Sequence, residues 1–120
     1  MDDRPEGPGD DERFLVVDGR RWRREDPDLP ADVRGTLLSH LGRGRSAVGR
    51  ARRSADDAAV ARARRRVDLA KHGLGERGDP WWEQSATARR RRWEHALAEL
   101  AALDVDEDAA PDDAGSPDGA

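Results

Sequence analysis

The chain has 120 residues, 40% of them charged, with a net charge of −4 and neither Cys nor Tyr. Without Cys, disulfides and thiolate chemistry are excluded. No apolar run reaches the roughly 20 residues of a membrane helix, and no secretory h-region follows Met1, so the expected setting is cytoplasmic.

The length sets a prior of one domain, and the charge distribution shortens it. Residues 1–12 hold six acids and one base, and residues 104–120 hold seven acids and no base. The intervening residues 13–103 therefore carry a net +8. Both ends are rich in Asp, Gly, Pro and Ala and cannot bury enough apolar surface to offset ordering entropy. They read as disordered acidic tails flanking a single body. That body has one Phe, four Trp and no Ile, so Val, Leu and Ala must fill its core. Such a core is marginal at this size, and self-association or a protein partner would complete it.

The body opens on Phe14–Val17, then Asp18-Gly19, then Arg20–Arg23. Asp-Gly suits a two-residue type I′ turn, in which both positions take positive φ. This β-hairpin pairs Val17 with Arg20, Val16 with Arg21 and Leu15 with Trp22. One face then carries Leu15, Val17 and Trp22. A lone hairpin is marginal in water, so that face is expected to lie on the helices.

Asp26-Pro27-Asp28-Leu29-Pro30 is a connector and a helix start, with Asp28 as the expected cap. Val33, Leu37, Leu41, Val48 and Ala51 follow at helical spacing. Gly35, Gly42, Gly44 and Gly49 weaken this first predicted helix, and a break at Gly42–Gly44 is one reading. Ser54-Ala55-Asp56-Asp57 resembles a capping box. Val60, Ala63, Val67, Ala70 and Leu74 then form a second stripe, ended by Gly73 or Gly75. Ser85 or Thr87 starts a third helix with the stripe Trp93, Ala96 or Leu97, Leu100 and Leu103. The expected fold is mostly α: an N-terminal β-hairpin on a two- or three-helix bundle.

Chemistry is sparsely signalled. Gly73-Leu74-Gly75-Glu76-Arg77-Gly78 matches G-x-G-x-x-G, but its glycines follow a helix instead of joining a strand to one, so a helix stop explains them better. His40, His72 and His95 fall on three different predicted helices without ligand spacing. No nucleophile elbow and no cofactor or metal motif occurs, so the chain reads as a non-enzyme with no cofactor. Two surfaces remain. In the turn from Gly75 to Trp82, Glu76, Arg77, Trp81 and Trp82 combine the residue types that most often anchor protein interfaces. The competing reading is that the two rings close a core short of aromatics. The alternative function is nucleic-acid binding by the basic helices through Arg52, Arg53, Arg62, Arg65 and Arg66, against a solvated charged face.

The set Val17-Asp18-Gly19-Arg20-Arg21-Trp22-Arg23, Asp26-Pro27-Asp28-Leu29-Pro30, and Val67 to Gly78 with Pro80-Trp81-Trp82 resembles a family of small proteins of high-GC bacteria. The family is often labelled "biopolymer transporter Tol". The resemblance covers residues 14–103 and departs from the family pattern between Leu41 and Arg45, where this chain has Gly42 and Gly44. It brings no activity and no functional residues with it. The label implies an envelope role, which the absence of a membrane segment or export signal argues against. The expected function is a small adaptor or accessory module making a protein contact at the Gly75–Trp82 turn.

Overall fold

A computed structural model describes residues 9–109 of the chain. Its elements run α1 (Asp10–Arg13), β1 (Phe14–Val17), β2 (Arg20–Arg23), α2 (Ala31–Arg53), α3 (Asp57–Leu74), a single 3₁₀ turn (Trp81–Glu83) and α4 (Ala86–Ala109). The hairpin forms in the expected register, with Phe14 opposite Arg23, Leu15 opposite Trp22, and Val17 opposite Arg20. Asp18 and Gly19 take φ of 52° and 77°, as a type I′ turn requires. Helices α2 and α3 form an antiparallel hairpin, and α4 packs mainly along α3.

The core is the meeting of three stripes. Leu37 and Leu41 come from α2, Leu69, Ala70 and Leu74 from α3, and Ala96 and Leu100 from α4, with Leu29 of the connector beside them. Trp93, Leu97 and Leu103 pack against this cluster, as the third stripe predicts.

Helix α2 runs unbroken through Gly42 and Gly44. Gly44 is buried, and a Cβ placed there would lie 2.7 Å from Val67 Cγ2 and 3.3 Å from the Ala63 carbonyl. That glycine lets α2 and α3 approach closely. Gly73 does the same inside α3, where a Cβ would meet Leu37 Cδ2 at 2.7 Å and Ala96 Cβ at 2.8 Å. Gly42 faces open space.

Four helix ends differ from expectation. Pro30, not Asp28, is the N-terminal flanking residue of α2, and no side chain caps it. Asp28 is turned instead toward Asp26, whose Oδ1 accepts the Asp28 amide at 2.8 Å. Asp56, not Ser54, caps α3, accepting the Ala59 amide at 3.0 Å, because Ser54 still belongs to the end of α2. Helix α4 continues past Leu103 to Ala109. The reason is ionic: Asp104 lies 3.0 Å from Arg43 and 2.8 Å from Arg66, and Glu107 lies 3.0 Å from Arg66. Likewise Asp10–Arg13 form a helical turn, with the Gly9 amide donating to Glu12 Oε1 at 2.9 Å. The remainder of both expected tails, residues 1–8 and 110–120, lies outside the described residues. Ser85 starts α4 as expected, its Oγ accepting the Ala88 amide at 3.1 Å. Gly75 ends α3 in the left-handed region, with φ of 90°.

One buried carboxylate ties these parts together. Asp26 is 1% exposed. Its backbone amide donates to the Leu74 carbonyl at the end of α3, at 2.7 Å. Its Oδ2 accepts from Arg92 Nη2 at 2.7 Å, and its Oδ1 lies 3.5 Å from Arg89 Nη1, both from the first turns of α4. Arg92 also donates to Gln84 Oε1 at 2.7 Å and to the Gly73 carbonyl at 3.3 Å.

Two outcomes follow from this packing. Asp26→Ala leaves Arg92 without its buried partner and is expected to cost about 3–5 kcal/mol in denaturant unfolding. Gly42→Ala is expected to add about 1 kcal/mol of stability, whereas Gly73→Val is expected to cost about 1–3 kcal/mol, because the rigid Ala96 Cβ cannot move aside without separating α3 from α4. Equal effects at Gly42 and Gly73 would contradict the close helix approach.

Candidate functional site: the hairpin face and the tryptophan turn

The tryptophan turn holds the hairpin onto the helices. Trp81 is 2% exposed. Its Nε1 donates to the Arg24 carbonyl at 2.9 Å, and its own carbonyl accepts from Arg89 Nε at 2.7 Å. A Cβ on Gly75 would sit 3.2 Å from Trp81 Cδ1 and 3.1 Å from Asp26 Cβ, so a glycine is required where the three segments meet. Trp82 is half-buried and meets Trp81 edge-on, with ring centroids 5.1 Å apart. It also meets Phe14 edge-on at 5.4 Å. The guanidiniums of Arg13 and Arg23 lie 4.9 and 5.7 Å from the Trp82 ring. Arg23 further donates to the Gly78 carbonyl at 2.8 Å.

The Leu15/Val17/Trp22 face turns toward the helices as expected, but the contact is loose, and the hairpin is also pinned on its other face. Phe14, on the opposite face from Trp22, makes the aromatic contact with the helical body, because Trp82 projects toward it. Leu15, Val17 and Trp22 face α2 and α3 across an open groove of about 800 Å³, whose far wall includes Arg45, Lys71 and Glu76. Trp22 stays 42% exposed and Val17 46% exposed. Trp22 is bracketed by two cations, with Arg20 at 4.5 Å and Lys71 at 5.7 Å from its ring.

The groove wall is poorly solvated, and its charges register that. Burial pushes the Glu76 carboxyl above its ordinary range, and nearby Glu25 pushes the same way, against the pull of Lys71, Arg45 and Arg77. Burial likewise pulls the Lys71 ammonium down, with Arg77 and Arg45 adding to it and Glu76 opposing. The groove therefore disfavours uncompensated charge on either residue.

The anticipated contact residues thus divide. Trp81 is core. Arg77 is exposed but donates to Asp68 Oδ1 at 2.7 Å. Trp82 carries the hairpin, and Glu76 lines the groove. The alternative set divides as well. Arg66 is 3% exposed, with Nη1 2.7 Å from His40 Nδ1. A guanidinium only donates, so His40 Nδ1 is the acceptor and the ring is neutral. Burial lowers the His40 pKa, as do Arg66 and Arg43, against Asp104 and Glu107. Asp104 is disfavoured by its own desolvation, yet hydrogen bonds from Arg43 and Arg66 and their charges hold its carboxyl below the ordinary range. Arg65 is paired with Glu99 at 3.1 Å. Only Arg52, Arg53 and Arg62 of that set are exposed without a carboxylate partner among the described residues.

Sequence reasoning missed Leu15, Val17 and Trp22 as a surface, because alternation marks a face without saying whether anything covers it. It also missed Asp26, which carries no local signal of burial. His72 Nδ1 lies 3.0 Å from the Asp68 carbonyl, and His95 is exposed on α4, so the three histidines stand in separate settings. No group of three or more residues that could hold a metal ion occurs among the described residues. No described helix is long and apolar enough to cross a membrane. Compared with protein-family models, curated proteins and solved structures, the chain matches none.

The sign of the Glu76 shift gives a test. A carboxyl whose folded pKa is raised weakens the fold wherever it must be ionised, and that cost vanishes below the unfolded value near 4.5. Glu76→Gln is therefore expected to raise Tm at pH 7 and to match the parent at pH 4. A Tm that falls at pH 7 would mean that the carboxylate is held by a specific bond.

Proposed function

We propose that this chain is a small non-enzymatic binding module that contacts a protein partner through the open face of its N-terminal hairpin. The observation that carries this reading is the unequal treatment of the tryptophans. Trp81 is buried and Trp82 is wedged between Phe14 and Trp81, whereas Trp22 stands out beside Leu15 and Val17. In a body so short of large apolar groups, an uncovered Trp is a contact surface in waiting. The surface shifts the protein contact from the tryptophan turn to the strand it supports, with Glu76 common to both. Arg65 and Arg66 are engaged in ion pairs within the fold, which takes two of the five arginines from the nucleic-acid alternative.

The test separates contact from stability. Trp81→Ala is expected to cost about 3–5 kcal/mol, and Trp22→Ala to stay within about 1 kcal/mol of the parent. A photo-crosslinking residue at position 22, expressed in the native host, is expected to trap a protein adduct of defined mass. The same residue at His95, exposed on α4, is expected to trap none. Identical adducts from both positions, or none from position 22, would remove the reading.

A further inference from the structure

We infer that the partner segment received by the hairpin is an extended, acidic peptide that adds as a third strand along β2. This rests on the hairpin being the contact surface.

The backbone provides the first argument. In a hairpin closed by a two-residue turn, the pair flanking the turn exchanges both hydrogen bonds, and bonded pairs alternate thereafter. Val17 with Arg20 and Leu15 with Trp22 are then the bonded pairs. The next, Arg13 with Arg24, is seen directly: the Arg24 amide donates to the Arg13 carbonyl at 2.7 Å. Arg21 and Arg23 therefore turn their amides and carbonyls away from β1. Neither has a backbone partner elsewhere among the described residues. The edge of β1 is different, because the Phe14 carbonyl accepts from Arg24 Nε at 3.1 Å. The β1 edge is closed at Phe14, whose amide donates to the Asp10 carbonyl, and is open there at Val16 alone, whereas β2 presents both Arg21 and Arg23; the more open β2 edge is a template for strand addition.

Charge provides the second. Arg20, Arg21 and Arg23 belong to this strand, and none has a carboxylate within salt-bridge distance among the described residues. Among the described residues, Arg89, Arg90 and Arg92 of α4 are paired, while Arg91, Arg52, Arg53 and Arg62 are not, so what marks β2 is three such arginines on one four-residue strand. The hairpin guanidiniums rest on aromatic rings instead, Arg20 on Trp22 and Arg21 on Phe14 at 3.9 Å. Stacking fixes their planes and leaves their N–H edges free for carboxylates.

A single-stranded nucleic acid would also meet cations and rings here. It fits less well, since it would leave the strand edge unpaired. A peptide strand uses that edge, sets alternate acidic side chains against the arginines, and lays the others beside Trp22.

The experiment presents the full-length protein to a displayed library of random 12-residue peptides. Enriched sequences are then synthesised and titrated. The expected result is enrichment of alternating acidic and apolar sequences. Their binding is expected to weaken at least tenfold in Arg20→Gln/Arg21→Gln and to shift the Arg21 and Arg23 amide resonances in ¹⁵N spectra. Those spectra also verify that the variant is folded. Enriched peptides that perturb Trp22 but are neutral, or that leave the edge amides unmoved, overturn the strand inference while leaving the hairpin surface in place. Peptides that map away from the hairpin, or no enrichment at all, overturn both. A twelve-residue oligothymidine that binds through Arg20 and Arg21 with steep salt dependence, where no peptide does, assigns the site to nucleic acid and overturns the inference.

Discussion

The base from which the hairpin projects is held by Asp26. A carboxylate with no exposed surface is stable only when its hydrogen-bonding capacity is met in place. Here the connector cannot leave the end of α3, because the Asp26 amide holds the last-turn carbonyl of Leu74. The α4 start cannot leave either, because Arg92 reaches across it to Gly73 and Gln84 as well as to Asp26. Arg89, bridging Asp28 and the Trp81 carbonyl, extends the same network to the tryptophan turn. Three chain segments far apart in sequence are joined by groups that would each be costly to leave unpaired.

From this node the hairpin projects as a bracket. It is fastened at its base, by Trp81 to the Arg24 carbonyl and by Trp82 to Phe14. Its tip at Asp18-Gly19 has no such fastening, and Val16 and Val17 are exposed. The wedge holds Phe14 at the base, and exposure rises toward the tip on both faces. The same geometry gives β2 its aromatic-stacked arginines, since the rings beneath them belong to the fastening (Phe14, Trp82) and to the open face (Trp22).

Elements governed by neighbours in sequence were legible. Asp18-Gly19 dictates the turn and hence the register. The α3 stripe and the left-handed stop at Gly75 need nothing beyond spacing and backbone freedom. What was not legible depends on partners dozens of residues away. Gly44 looks like a helix breaker until Val67 is seen against it. The acids after Leu103 read as a tail until Arg43 and Arg66 are found waiting for them. Trp81 and Trp82 are adjacent and chemically identical, so only the position of Arg24 and Phe14 separates the core ring from the supporting one. The site itself was half legible: its alternation was readable, and its exposure was a property of the assembled body.

Two partly buried sites hold protons in opposite ways. At the His40–Arg66 contact the imidazole is kept neutral, so as pH falls through about 6.5 the unfolded chain takes up a proton that the folded one refuses, and the fold loses stability there. At the hairpin groove, Glu76 takes up its proton more readily in the fold than out of it, so the same acidification relieves that wall until about 4.5. Mild acid therefore draws stability from the His40–Arg66 contact and adds it at the hairpin groove instead of acting evenly.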